Sequence, residues 1–219
     1  MNNRTYDLVV FDWDGTLLDS TGAIVKAIQA ASRDVGATPP TNERARYVIG
    51  LGLRDALLHA VPDLPESRYD DLVDAYRKHY LSGDHELCLF EGVEMLLQQL
   101  QAEHRWIAVA TGKSRLGLDR ALGHSGLGRY FDTTRTADET RGKPHPQMLE
   151  EIMNQFAVAP ERTLMIGDTT HDLLMAQNAG AKGLGITHGA HQVSALLDCR
   201  PVGLVDSIPD LANWMKTNG

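Results

Sequence analysis

Asp12 and Asp14, two residues apart and followed by Gly15, are the side chains of this sequence best placed by type and spacing to do chemistry. They follow Leu8-Val9-Val10-Phe11, an apolar run that reads as a buried strand. Side chains two apart along a strand share a side, so both carboxylates leave its end in one direction. Gly15 lets the chain turn sharply just beyond them. Two close carboxylates repel unless a cation or a proton neutralises one of them. The pair therefore points to a divalent metal, a proton-transfer role, or both. An exposed Asp-Gly turn is the plainer alternative, and the flanking strand is too apolar to favour it.

Two more polar groups come after apolar runs in the same way. Thr111-Gly112 comes after residues 106–110, and Gly167-Asp168-Thr169-Thr170-His171-Asp172 after residues 163–166. Lys143 lies in a loop before a helical pattern that opens near Pro146, and it could add a cation. Asp168 could serve instead as a helix N-cap, and Lys143 as a solvated surface lysine. Gly112-Lys113-Ser114 imitates the end of a P-loop, but that motif needs a glycine where Ile107 stands.

These groups need a scaffold that brings strand ends together. Residues 183–186 and 202–205 add two further short apolar runs. Helical patterns lie between the runs: Val93, Leu96, Leu97 and Leu100 share one face, and Leu149, Ile152, Met153 and Phe156 another. A last helix carries Leu211 and Trp214. Strand–helix alternation predicts an α/β fold, a doubly wound, Rossmann-like parallel sheet whose ligands bind beyond the carboxyl ends of the strands. Residues 19–86 differ, with helical patterns, no convincing strand, and prolines at 39, 40, 62 and 65. Two domains are expected: an α/β core from residues 1–18 and 87–219, and an α-helical cap, residues 19–86, inserted after the first strand. Within the insertion, Gly50-Leu51-Gly52-Leu53-Arg54 reads first as an ordinary helix–helix turn. The alternative is a loop that reaches a substrate, with Arg54 on a second anionic group; Lys113 could likewise contact substrate or face solvent. His171, His188 and His191 lack the paired spacing of a zinc site and read as surface or capping residues.

Composition narrows the partners. A net charge of −8 and a pI of about 5.5 argue against a nucleic acid, which needs a basic surface. No apolar run approaches the ~18 residues of a membrane span. Cys88 and Cys199 form no CxxC pair and read as two thiols in a reducing cytoplasm. The first residues carry charge and reach the aspartate motif by position 12, which leaves no room for a cleavable signal peptide. Nothing separates a monomer from a homodimer.

With DWDGT (12–16), the threonine of VATGKS (109–114), the lysine of RGKPHP (141–146) and GDTTHD (167–172) in this order, the chain resembles the phosphatase branch of the haloacid dehalogenase superfamily. The helical insertion resembles the small cap of its phosphoglycolate-phosphatase-like group. The resemblance implies a phosphatase acting on a small phosphorylated metabolite through an aspartyl-phosphate. Asp12 would be the nucleophile and Asp14 the proton carrier, for which a neighbouring carboxylate favours the protonated form. Asp12, Asp14 (through its backbone carbonyl) and Asp168 would hold Mg²⁺, with Asp172 in support. Thr111, Gly112 and Lys143 would bind the phosphoryl oxygens. Phosphoglycolate, phosphosugars, nucleotides and pyrophosphate are the candidate substrates. A phosphosugar mutase shares these motifs, and a non-enzymatic phosphoacceptor module is the remaining alternative.

Overall fold

The structure is a computed structural model that describes residues 4–219; the first three residues of the expected core segment lie outside the described residues. Six parallel strands form one sheet: β1 (Leu8–Phe11), β2 (Trp106–Thr111), β3 (Thr133–Thr136), β4 (Thr163–Gly167), β5 (Lys182–Ile186) and β6 (Gly203–Val205). Their order is β3-β2-β1-β4-β5-β6. The chain works outward from β1 to one edge and then crosses to β4, so the strand order reverses between β1 and β4, where such sheets bind ligands.

Period-2 alternation assigns the strand side chains to two cores. Val9, Phe11, Ile107, Val109, Leu164 and Ile166 face one side, where α5 (Val93–Ala102) and α10 (Ile208–Asn218) cover them. Leu8, Val10, Ala108, Ala110 and Met165 face the other, under α7 (Gln147–Phe156) and α8 (Thr170–Asn178). Every residue of β1 is fully buried, which is why the strand reads as one apolar run. In register, Phe11 pairs with both Val109 and Ile166. The three central strands end close together, β4 one residue and β2 two residues beyond the level of Phe11, so the polar residues at their ends emerge at the same edge.

The edge strand β3 carries no apolar run. Its sequence is Thr-Thr-Arg-Thr, held in place by backbone pairing to β2. The remaining core helices are α6 (Arg115–Ser125) and α9 (Val193–Asp198).

Between β1 and α5 the chain forms α1 (Thr21–Asp34), α2 (Asn42–Tyr47), α3 (Leu53–Ala60) and α4 (Tyr69–Gly83), with no strand. These helices have their own apolar cluster; all its fully buried members fall between Ile24 and Leu72 except Ala190. The segments that lead into and out of this helical unit are tied side by side. Asp19 donates its amide to the Cys88 carbonyl at 2.9 Å, and Phe90 donates to Leu17 at 3.0 Å. Among the described residues no helix is long and apolar enough to cross a membrane.

A separate cluster makes a separable stability contribution. Leu72→Ala removes a fully buried side chain from it and should cost about 2–5 kcal/mol of local stability. Hydrogen exchange is expected to speed up in α1, α3 and α4 while amides of β1, β2 and β4 keep their protection. Equal acceleration in the sheet would show that the helices and the sheet open as one unit.

Candidate active site

Neighbouring strand ends gather the predicted residues. Asp12 follows β1, Thr111 ends β2, Asp168 follows β4, Asp172 lies in the first turn of α8, and Lys143 comes from the β3–α7 loop. All are buried, and Asp12, Asp168 and Asp172 have no exposed surface. The Lys143 ammonium lies 2.8 Å from Asp12 Oδ1 and donates to Asp172 Oδ1 at 2.6 Å. Asp12 Oδ2 meets no donor among the described residues. Asp168 is fixed through both oxygens, Oδ1 accepting from Thr16 Oγ1 at 2.7 Å and Oδ2 from the Ala190 amide at 2.7 Å. Gly15 makes room for it: φ is +81°, and a Cβ there would sit 2.3 Å from Asp168 Oδ2.

Asp168 does not cap the following helix. Thr169 does, in a capping box with Asp172: Asp172 Oδ2 accepts from the Thr169 amide at 3.1 Å and its hydroxyl at 2.6 Å. Asp172 thus spends one oxygen on the helix start and the other on Lys143.

Asp14 has a different environment. Its Oδ1 accepts from Ser20 Oγ at 2.7 Å, and its Oδ2 lies 2.9 Å from Lys113 Nζ. The sequence suggests a carboxylate neighbour favouring a proton on Asp14; the group actually set against it is an ammonium. Lys113 in turn reaches the Tyr80 hydroxyl of α4 at 3.2 Å. Trp13, between the two aspartates, points to the opposite core and meets Phe131 edge-on at 6.2 Å.

The glycine-rich segment at 50–52 is both a helix–helix turn and a loop at the site. It joins α2 to α3, and it lies on Gly112 so closely that a Cβ there would sit 2.4 Å from the Leu51 carbonyl oxygen. Arg54 instead pairs with Asp70 at 2.7 Å on the surface, while still lining the cavity above the site. The histidines are less exposed than expected. His171 and His191 are buried and both donate from Nε2 to the Tyr47 carbonyl, at 2.8 and 3.0 Å, clamping α2 against α8. His191 Nδ1 accepts from the Thr170 amide at 3.0 Å, so His191 does help cap α8. Burial pushes its pKa down to about 4, in keeping with a neutral ring that accepts at one nitrogen and donates at the other. His188 donates to the Thr16 carbonyl at 3.2 Å and stacks on Phe90.

Sequence reasoning missed Thr16, Ser20 and Tyr80. Thr16 lies inside the DWDGT motif and was within reach of a motif-based reading. Tyr80 is brought to Lys113 only by packing.

The charges do not balance within the protein. When Asp12, Asp168 and Asp172 are all ionised, the one ammonium among them, that of Lys143 against Asp12 and Asp172, leaves an excess of two negative charges in a buried space. One oxygen from each of the three lies within 4.8 Å of the others. Burial raises the pKa of Asp12 to about 7, only partly offset by Lys143. Burial, then Asp12 and Asp172, hold Asp168 well above the usual carboxylate range. Burial works against the charge on Lys143 as well, yet Asp12 and Asp172 push it up to about 12. A divalent cation would supply the two missing charges, and hard carboxylate oxygens suit a small one. Together with the unpartnered Asp12 Oδ2, this makes the three aspartates a fitting donor set.

Residues 9–186 match the family model of haloacid dehalogenase-like hydrolases. The "Probable phosphatase IndB" of Dickeya dadantii (strain 3937) is 35% identical over 212 residues, covering 93% of this chain and 91% of that protein. The "Pyrophosphatase PpaX" of Bacillus pumilus (strain SAFR-032) is 29% identical, covering 96% and 97%. In three dimensions, a crystal structure of a hydrolase from Pseudomonas syringae superposes with a TM-score of 0.87 at 23% identity, covering 95% of this chain and 97% of that one.

The electrostatics have a measurable consequence. The folded protein retains the Asp12 proton up to about pH 7, whereas an ordinary aspartate loses it near 3.8. Raising the pH through that interval therefore favours unfolding. In chelator, the melting temperature of Asp12→Asn relative to the parent protein should rise steadily from pH 4 to pH 8. A difference that stays flat across that range would rule out a raised pKa at Asp12.

Proposed function

The chain belongs to the haloacid dehalogenase-like hydrolase family, and we propose that within it the protein is a Mg²⁺-dependent phosphatase that hydrolyses a small phosphorylated metabolite through an aspartyl-phosphate. The observation that carries this reading is Asp12: a fully buried carboxylate with one unpartnered oxygen, set between a lysine and two further aspartates. A buried anion this exposed to reaction and this poorly solvated is arranged to meet an electrophile that arrives with its own counter-ion.

In the first step a carboxylate oxygen of Asp12 forms a bond to phosphorus. The bond from phosphorus to the alcohol oxygen breaks, and that oxygen leaves with the electron pair and takes a proton from Asp14. In the second step a water oxygen bonds to phosphorus and gives a proton to Asp14. The Asp12–phosphorus bond breaks, the electron pair returns to Asp12, and inorganic phosphate departs. Asp14 ends each cycle protonated, as it began. Ser20 and Lys113 hold its carboxylate in place, and Lys113 balances its charge whenever the proton is away.

Lys143, the Thr111 hydroxyl and the Gly112 amide bind the three peripheral phosphoryl oxygens, supporting the extra charge of the transition state. Mg²⁺, held by Asp12, Asp168 and the Asp14 carbonyl with Asp172 behind them, would neutralise the repulsion between an anionic nucleophile and an anionic phosphate. The helices between β1 and α5 act as a cap. Their loop at Gly50 and Leu51 presses on Gly112 and keeps bulk water from the phosphoryl site.

Asp12→Asn is expected to lower kcat at least about a thousandfold, with circular dichroism and chromatographic behaviour unchanged. Retained phosphate release in that variant would remove Asp12 as nucleophile. Mg²⁺ should stabilise the wild-type protein against heat, by about 2.7 kcal/mol at a hundred times its Kd, and Asp168→Asn should lose most of that gain. Isomerisation of a sugar phosphate without phosphate release would instead identify a mutase.

A further inference from the structure

The phosphoryl site occupies one end of a much larger space. A cavity of about 830 Å³ begins at Asp12 and Asp14 and runs between α4 and α6 as far as His124 and Ser125. Cavities of ~300–1,000 Å³ hold ligands of drug size; a two-carbon acid or a second phosphate would fill a small part of this one. The walls are apolar for most of their length, with Ile24, Leu53, Leu57 and Leu87 among the lining side chains. Tyr76 and Tyr80, also lining it, stack with ring centres 5.8 Å apart and planes 13° apart. Leu116 lines the cavity and is nonetheless 81% exposed, an apolar side chain left facing solvent.

The cavity's cations are already committed. Among the described side chains four line it, and each faces its own carboxylate: Lys113 with Asp14 at 2.9 Å, Arg54 with Asp70 at 2.7 Å, Arg77 with Asp74 at 3.3 Å, and Arg120 with Asp84 at 2.7 Å. Asp55 and Asp138 add two more lining carboxylates. A second anion on the substrate would compete with these aspartates for the same cations and sit among further carboxylates. An uncharged apolar body meets no such obstacle, and its burial is favourable in proportion to the area removed from water.

We propose that this cavity selects a phosphomonoester whose alcohol portion is uncharged and carries a flat apolar or aromatic face, and that it disfavours substrates with a second anion beside the phosphate, such as phosphoglycolate and pyrophosphate. The inference rests on the phosphatase reading of the site. The bond broken is the same phosphorus–oxygen bond, with water supplying a hydroxyl to the phosphate and a proton to the released alcohol.

The test compares phosphate release by the full chain, with Mg²⁺, from 2-phenylethyl phosphate, ethyl phosphate, phosphoglycolate and pyrophosphate. The first should exceed each of the others at least tenfold in kcat/KM, mainly through a lower KM. Equal or higher kcat/KM for phosphoglycolate or pyrophosphate would overturn the selectivity and leave the phosphatase standing. No phosphate release from any of the four would overturn the phosphatase reading and this inference with it. Leu116→Asp supplies a second measurement at a position already exposed, where folding is not at stake. It should reduce the preference for 2-phenylethyl over ethyl phosphate at least threefold, through KM; an unchanged ratio would show that the apolar wall takes no part in selection.

Discussion

Three buried aspartates against one buried lysine is the constraint on which the rest of this structure depends. Burying a carboxylate without a partner is costly, and burying three around one ammonium leaves a charge that the protein does not cancel. The surroundings are built to hold these groups in place all the same. Asp168 is pinned by Thr16 and the Ala190 amide, Asp172 by the start of α8, and Lys143 by two carboxylates. Of the three aspartates, Asp12 alone keeps an oxygen with no donor among the described residues. Stability is given up at this point of the molecule, and it is where a divalent cation would supply the missing positive charges.

The sheet makes this arrangement achievable. Parallel strands buried on both faces carry no polar side chains along their length, so polar groups collect where the strands end. Because β1, β2 and β4 pair in register and end within two residues of one another, the last residue of β2 and the first residue past β1 and β4 bring Thr111, Asp12 and Asp168 into one space. Short polar segments then work at close range. Gly15 permits backbone to touch Asp168, and Gly112 permits the Gly50–Leu51 carbonyls to lie directly on the site. A methyl group at either place would push these surfaces apart.

The helical unit acts on the same site from the other side. The Tyr47 carbonyl, held by His171 and His191, anchors α2 beside α8. Tyr80 reaches Lys113, which faces Asp14. Asp14 is thus linked through Lys113 to one of the helices that shape the cavity. Lys113, which the sequence leaves between a substrate contact and a solvent-facing side chain, is set by its contacts between Asp14 and Tyr80.

The sequence by itself determined what is local. Apolar runs of four or five residues marked five of the six strands, and the polar residues just beyond them marked Asp12, Thr111 and Asp168, because buried strands exclude polar side chains and end where these begin. The helical character of the segment between β1 and α5 was equally legible from its periodicity. Tertiary structure alone decided what depends on elements distant along the chain. The strand β3 has no apolar signature and exists through pairing with β2. Ser20 and Lys113 on Asp14, the shared Tyr47 carbonyl, the loop over Gly112 and the pairing of every described cavity cation arise from how the helices dock. Local patterns record which face of an element is buried; they do not record what it is buried against, and it is the second fact that sets the charge and shape of the space above Asp12.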